Sequence, residues 1–334
     1  MDALVSRHGG RAGLPAADAP HARAPGPGGC PVNGGTVLAV ERACTQLAGG
    51  PPAQTAHIRS APKTAVFRVL LADERRVVVK LFAADASHGA ADEARLLAAV
   101  AESGRVQVPT VIGHGPVPGL TVSALITADA GTKTLGDALR VEQMPRPAAL
   151  LRLALLMAAF HSIPTPAGIS QAAGIDRQVT DLSTHCPKQV FTRLAPALEI
   201  IAAGARRTRL VWCHGDLHLE NVICGGDRQP IATSDGESHL PEYVVDFEAT
   251  TVEVPEYDLA QTLVTCDALG PSDRVFTAAA YGRPVDTRLL DAYIAFQAVR
   301  GWTYAAHQEG RDRDLWSARL HQAVPLRTGE RITL

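Results

Sequence analysis

Val211-Trp212-Cys213-His214-Gly215-Asp216-Leu217-His218-Leu219-Glu220-Asn221 is the segment that decides how this chain of 334 residues is read. A carboxylate, Asp216, and a carboxamide, Asn221, stand five positions apart on a loop between two short apolar runs, 210–213 and 221–224, that read as strands. Transfer of a phosphoryl group to a hydroxyl uses such a pair. The carboxylate orients the attacking O–H and accepts its proton, and the amide oxygen ligates magnesium. Farther on, Val244-Val245-Asp246-Phe247-Glu248 reads as a strand over 243–247 carrying a second carboxylate. Asp246 is the natural further ligand for a hard cation that prefers carboxylate oxygen. Two other readings stand beside this one. Either the loop is simply capped by its own Asx side chains, or His214, Asp216 and His218 form a metal cluster, which would need three or four converging ligands.

Upstream, Val77-Val78-Val79 leads into Lys80. A lysine on a buried strand is costly unless it meets an anion, and nucleotide phosphates are one such anion. Glu93 follows on a helix read over 90–101, where it shares a face with Leu97 and Val100. That face points inward, and Lys80 is the obvious partner for an inward carboxylate.

The rest of the chain organises around these positions. Residues 1–35 are rich in Ala, Gly and Pro with few large apolar side chains, a composition that predicts disorder. A helix is expected over 36–47, and strands over 56–59, 65–71, 77–82, 108–112 and 120–126, forming a small antiparallel sheet with one helix packed on it. A linker is expected near 127–131. Helices follow over 135–140, 147–161 and 190–203, and the chain from 258 onward reads as mainly helical. The helix over 147–161 is apolar nearly all round, which makes it central to a helical part. The expected division is an N-terminal extension 1–35, a sheet-bearing lobe 36–130 and a helical lobe 131–334.

Composition sets the outer bounds. Hydrophobic residues make up 46% and charged residues 20%, with a net charge of −2, so no basic excess recommends nucleic acid. The longest strongly apolar stretch, 150–160, is about half a membrane span and contains Arg152, which argues against a membrane protein. The first residues lack the apolar core of a secretion signal, and the six cysteines include no C-x-x-C pair, so reduced thiols in a cytoplasmic protein are expected. Lysine supplies 4 of the 32 basic residues, at positions 63, 80, 133 and 188, and the arginine excess fits the codon bias of a high-GC genome.

Taken in this order, H-G-D-x-x-x-x-N at 214–221, V-D-F-E at 245–248, the strand lysine and Glu93 resemble the aminoglycoside phosphotransferase and choline kinase family. The resemblance runs from roughly Val37 to the C-terminus. It implies an α+β, bilobal, protein-kinase-like fold with a small antiparallel sheet lobe and a larger helical lobe. It further implies Asp216 as the catalytic base and Asn221 with Asp246 as ligands of Mg²⁺. Lys80 would hold the α- and β-phosphates of ATP, steadied by Glu93, with GTP as the alternative donor. A hinge at 125–129 would hold the base through backbone groups near Ile126 and Ala128. Tyr257-Asp258-Leu259-Ala260 is similar to the family's structural aspartate segment.

The chain also departs from the family pattern. Ser60-Ala61-Pro62-Lys63-Thr64 occupies the place of the phosphate-covering loop but has no glycine, leaving Lys63 and Thr64 as its candidate phosphate contacts. H-G-D in place of the H-R-D of protein kinases favours a small hydroxylated acceptor over a protein. Between the two metal-ligand segments lies an insertion, 225–242. From 225 to 260 there are nine acidic residues against one basic, and Asp235, Glu237 and Glu242 are spare. An acidic cleft would suit a polycationic acceptor, whereas the mildly basic end, 327–334, leaves room for a neutral or anionic one. His218, Glu248, Trp302 and Tyr304 are the candidate acceptor contacts, the two aromatics being equally suited to a core. An antibiotic is the expected acceptor, in resistance or self-protection. The alternatives are a metabolic kinase for choline, a sugar or homoserine, a catalytically inactive kinase-like binding module, and a hydrolase using His214, Asp216 and His218.

Overall fold

The β-branched run Val77-Val78-Val79 builds the centre of a five-stranded antiparallel sheet. In the computed structural model it lies on β3 (Arg76–Ala83), flanked by β2 (Thr64–Leu71) and β5 (Val122–Ala128). The outer strands are β1 (Pro52–Ala61) and β4 (Val111–Pro116), giving the order β1-β2-β3-β5-β4. The structure describes residues 34–61, 63–86, 89–165, 173–204, 209–225, 231–232, 238–239, 242–307 and 313–324. The expectation for the N-terminal extension therefore falls almost wholly outside the described residues, as do those for Asp235, Glu237 and 327–334.

A strand with valine on both faces needs both faces covered, and here both are. Val77, Val79 and Leu81 join Phe67, Val69, Leu71, Ala124 and Ile126 in one core. Helix α1 (Gly34–Ala43) and the π-helical turn that extends it, Cys44–Ala48, cover this core with Ala39, Val40, Ala43 and Cys44. Phe82 and Leu125 face the other way, onto Ala94, Leu97 and Val100 of α2 (Ala90–Ser103). The sheet thus carries two helices rather than the one expected from sequence. Burying a side chain such as Phe67 or Phe82, each 1% exposed, is worth about 1.5–3 kcal/mol.

The helical part begins with α3 (Leu135–Arg140) and α4 (Arg146–Phe160), followed by α5 (Ala173–His185) and α6 (Lys188–Gly204). Short strands then form two antiparallel pairs. β6 (Val211–Cys213) pairs with β11 (Thr251–Glu253), and β7 (Val222–Cys224) pairs with β10 (Glu242–Val244). Between them, β8 (Ile231–Ala232) pairs with β9 (Ser238–His239). Helices α7 (Pro255–Thr265), α8 (Pro271–Tyr281), α9 (Thr287–Ala306) and α10 (Arg313–Ala323) complete the described chain. No helix among the described residues is long and apolar enough to cross a membrane. The five described cysteines are unpaired and buried.

Several element bounds differ from the sequence reading, each for a local reason. The strand expected over 108–112 begins only at Val111. Pro109 has no N–H to offer a ladder, and Gln107 instead accepts from Val244 N at 2.9 Å, tying this segment to β10. The strand expected over 120–126 continues through Thr127 and Ala128, where Ala128 N donates to Thr110 O at 2.8 Å. The strand expected over 243–247 stops at Val244, and Asp246 adopts a left-handed backbone with φ +70°. Helix α5, where the sequence reading has no element, turns Ile175, Val179 and Leu182 toward the large core.

Candidate active site

The two strand pairs set the loop at 214–221 against Asp246. Its floor is aromatic. Phe160, at the end of α4, packs on Trp212 with centroids 5.0 Å apart and on His214 and Phe247 at 6.0 Å. His214 is fully buried, and its Nε2 lies 3.1 Å from Val245 O, linking the loop to the segment that follows β10 and carries Asp246. Burial holds the His214 ring below the usual histidine pKa, and the nearby carboxylates only partly oppose this.

Asp258 organises the loop from below. Its two oxygens accept from His214 N at 2.8 Å and Gly215 N at 2.7 Å, and His161 Nε2 lies 2.9 Å from Oδ2. His161 is held in turn by Tyr281 Oη, 2.8 Å from Nδ1. Gly215 is demanded by the same construction. Its φ is +81°, and a Cβ built there would lie 2.0 Å from Ala249 O, a backbone atom that cannot step aside. At the loop's far end, Glu220 accepts from Thr134 Oγ1 at 2.8 Å and Arg140 Nη1 at 2.6 Å, anchoring it to the two ends of α3.

Asp216 is partly exposed and held from three sides. Gln261 Nε2 donates to Oδ1 at 3.0 Å, Asn221 Nδ2 lies 3.3 Å from Oδ2, and His218 Nε2 lies 3.5 Å from Oδ2. Burial works against its charge, but the His218 and Gln261 contacts outweigh burial and hold the carboxyl below the ordinary aspartate pKa. His218 Nδ1 accepts from Glu220 N at 3.2 Å, which leaves the ring proton on Nε2, facing Asp216. Asn221 is 3% exposed, and its Nδ2 also donates to Asp216 O at 2.9 Å. This geometry commits the amide nitrogen to the loop and frees the oxygen as a donor to a cation.

The cationic side of the site comes from the sheet. Lys80 Nζ, nearly buried, lies 2.8 Å from Glu93 Oε2, 3.0 Å from Asp246 Oδ1 and 2.7 Å from Glu248 Oε1. Desolvation opposes its charge, but Asp246, Glu93 and Glu248 together push its pKa up, so it stays an ammonium. Asp246 feels the mirror image: despite burial, Lys80 and Arg59 hold it far below the usual carboxylate range. Asp246 Oδ2 accepts from Arg59 Nη2 at 2.6 Å. A carboxylate drawing two cations, beside a buried amide oxygen, is a set of hard oxygen donors that suits Mg²⁺.

Asp216, Asn221, Asp246, Lys80, Glu93, His218 and Glu248 therefore converge, as the sequence spacing anticipates. The other candidates make contacts of their own. Lys63 is half exposed and paired with Asp85, Nζ to Oδ2 2.9 Å, and Thr64 pairs in register with Phe82. Ile126 is fully buried in the core beneath α1, and the Ala128 amide is taken up by Thr110. Trp302 is 5% exposed within the helical core, so its ring offers no stacking face, while Tyr304 is 48% exposed. Sequence reasoning passed over Arg59, Gln261 and the His161–Asp258 contact. Gln261 had a signal: with Asp258 and Thr262 it makes a polar stripe at i, i+3 and i+4 beside the buried apolar Leu259, Ala260, Leu263 and Val264.

A buried lysine on a sheet, a helix glutamate behind it and an Asp/Asn loop facing an Asp-Phe-Glu turn, set in a sheet-bearing and a helical part, are the features of a protein-kinase-like fold. The chain belongs to the phosphotransferase enzyme family, whose model matches residues 59–302. A choline/ethanolamine kinase family protein from Mesorhizobium loti superposes with a TM-score of 0.60 at 16% identity, over 86% of this chain and 93% of that one. The GDP complex of aminoglycoside 2'-phosphotransferase-IIIa gives 0.60 at 18%, over 86% and 96%. An aminoglycoside phosphotransferase from Streptomyces rimosus, solved with ADP and streptomycin, gives 0.53 at 22%, over 80% and 98%. At such identities the likeness carries the fold. Among curated protein sequences, none matches.

Proposed function

We propose that this protein transfers the γ-phosphoryl group of a nucleoside triphosphate, ATP or GTP, to a hydroxyl of a small molecule. The observation that carries this reading is the meeting of Lys80 Nζ with Asp246 Oδ1 at 3.0 Å across the two lobes, beside Asn221 and Asp216. Lys80 holds the α- and β-phosphates, and Glu93 keeps its ammonium aimed. Asn221 Oδ1 and Asp246 would hold Mg²⁺, which would supply charge neutralisation on the phosphate oxygens. Asp216 accepts a hydrogen bond from the acceptor O–H and takes its proton as the new O–P bond forms. The bond from γ-phosphorus to the bridging oxygen breaks, and the nucleoside diphosphate leaves. A carboxyl held below its ordinary pKa is a weak base. That suits a loose transition state in which orientation matters more than early proton removal.

The acceptor we propose is a hydroxylated antibiotic without a dense positive charge. Among the described residues, the carboxylates of the acidic stretch that a polycation would need are engaged within the fold. Glu242 accepts from Arg152 at 2.5 Å, Asp246 and Glu248 serve Lys80, Glu253 accepts from Tyr293 Oη at 3.1 Å, and Glu256 accepts from Asp286 N at 2.8 Å. Asp258 is committed to the loop. The same assay tests the metabolic alternative. Aminoglycosides, nucleoside and macrolide antibiotics, choline and simple sugars are incubated with protein, Mg²⁺ and ATP or GTP, and the products are read by mass spectrometry. A phosphorylated nucleoside or macrolide antibiotic formed by the wild type is the expected result, and an aminoglycoside product would overturn the charge argument. A product from choline or a sugar alone would overturn the antibiotic reading. Absence of nucleotide binding by calorimetry would overturn the kinase reading itself.

Lys80→Ala is expected to weaken nucleotide binding by about 10–100-fold, or about 1.4–2.7 kcal/mol. It should also lower the melting temperature, because Glu93 and Asp246 lose a buried cation. Calorimetric titration with Mg·ATP checks it, and unchanged affinity and turnover would remove Lys80 from the phosphate site.

A further inference from the structure

Arg59 takes part in this cluster through a defect in the sheet. Along β1, His57 is opposite Phe67 and Arg59 is opposite Val66, so Ile58 is an extra residue without a partner. A bulge of this kind bends the strand and re-aims the side chains beyond it. In an unbroken ladder, residue 58 would oppose Val66. The bulge puts Arg59 there instead, in one cross-strand row with Val66, Lys80 and Leu125. Residues in such a row project from the same face. Arg59 and Lys80, one strand apart, therefore both reach Asp246, each to its own oxygen. Ile58, 44% exposed, is not needed for packing.

The position is the one from which a phosphate-covering loop acts. Glycine-rich loops do this with backbone N–H groups brought close to the anion. Here Ser60-Ala61-Pro62-Lys63-Thr64 has no glycine, and Pro62 has no N–H. Lys63 is turned away to Asp85. A guanidinium on the neighbouring residue supplies what that backbone does not, a planar fork of donors matched to phosphate oxygens. Its partner is also exchangeable. A cation ligated by Asp246 competes with the charges already on it, and the Arg59 bond is the half-exposed one, with 49% of that side chain open against 8% for Lys80.

Resting on the nucleotide reading above, we propose that Arg59 is a phosphate-binding residue that serves two anions in turn. It lies on Asp246 in this structure, and it passes to the β- and γ-phosphate oxygens when the metal–nucleotide complex takes Asp246.

The test titrates wild type, Arg59→Gln and Arg59→Lys with three probes: Mg·ATP, adenosine, and Mn²⁺ alone followed by electron paramagnetic resonance. In Arg59→Gln, Mg·ATP should bind about tenfold more weakly, adenosine equally well, and Mn²⁺ more tightly, because a competing cation has left Asp246. Arg59→Lys should recover part of the Mg·ATP affinity. Unchanged or tighter Mg·ATP binding in Arg59→Gln would reduce Arg59 to a counter-ion of Asp246 and overturn the proposal. An equal loss for adenosine would mean a structural effect and overturn it too, as would unchanged Mn²⁺ binding. A wild type that binds adenosine and Mn²⁺ but not Mg·ATP would instead strike the nucleotide reading.

Discussion

Asp216→Ala is expected to lower turnover by on the order of 10²–10⁴ while nucleotide affinity stays largely unchanged. Unlike Glu93, Asp246 and Glu248, this carboxylate salt-bridges neither Lys80 nor Arg59, and its contacts are to Gln261, Asn221 and His218. Its removal should therefore leave the Lys80–Glu93–Asp246 cluster intact. Steady-state kinetics with the acceptor found by mass spectrometry, paired with calorimetric titration of Mg·ATP, separates the two quantities. A parallel loss of nucleotide affinity would mean that Asp216 belongs to the nucleotide site rather than to the acceptor. Asp216→Asn, which keeps the shape and one oxygen, should lose nearly as much turnover, because it cannot take the proton.

Asp258→Ala is expected to be the most damaging single change to the fold near the site. It removes the acceptor of two buried backbone N–H groups and of the His161 ring at once. Each buried donor left without its acceptor costs about 1–3 kcal/mol, which over three donors is a large part of the 5–15 kcal/mol or so by which domains are stable. Thermal melting should show a fall of about 10 °C or more, and the surviving folded fraction should be inactive because the loop at 214–216 has lost its anchor. Asp258→Asn should recover only part of this, since one of its two acceptors becomes a donor facing donors. A melting temperature within a degree or two of wild type would show that the loop is held by its aromatic floor instead.

The site was legible where chemistry acts through contiguous residues or a single periodicity. Asp216 and Asn221 sit in one loop, and the inward face of Glu93 follows from its helical spacing to Leu97 and Val100. Both were visible because the pattern and the geometry are nearly the same statement. The protein-kinase-like fold was legible for the same reason, through the order of those motifs. Arg59 was hidden because its direction depends on how many residues of β1 oppose β2, and nothing in Ala56-His57-Ile58-Arg59 marks the extra one. The late start of β4 was hidden because Gln107 pairs with Val244, more than a hundred residues away. Helix α5 did carry a signal, since Ile175, Val179 and Leu182 stand at i, i+4 and i+7, but these three apolar residues are spread thinly among polar ones. Trp302 was undecidable from sequence, since an aromatic on a late helix serves a core or a ligand equally, and only packing settles which.

The helix that covers the far face of the sheet bears on where this protein can be cut. The family match begins at Arg59, yet Ala39, Val40, Ala43 and Cys44 are what close the core over Val77, Val79 and Ile126. A gene fragment trimmed to the matched region would start inside β1, lose this lid of small side chains and leave a broad greasy face in water. Such a fragment should be made as aggregate, however complete its catalytic motifs. The unit that evolution can duplicate, fuse or carry between genomes is accordingly longer at its front than the stretch by which its kin are recognised.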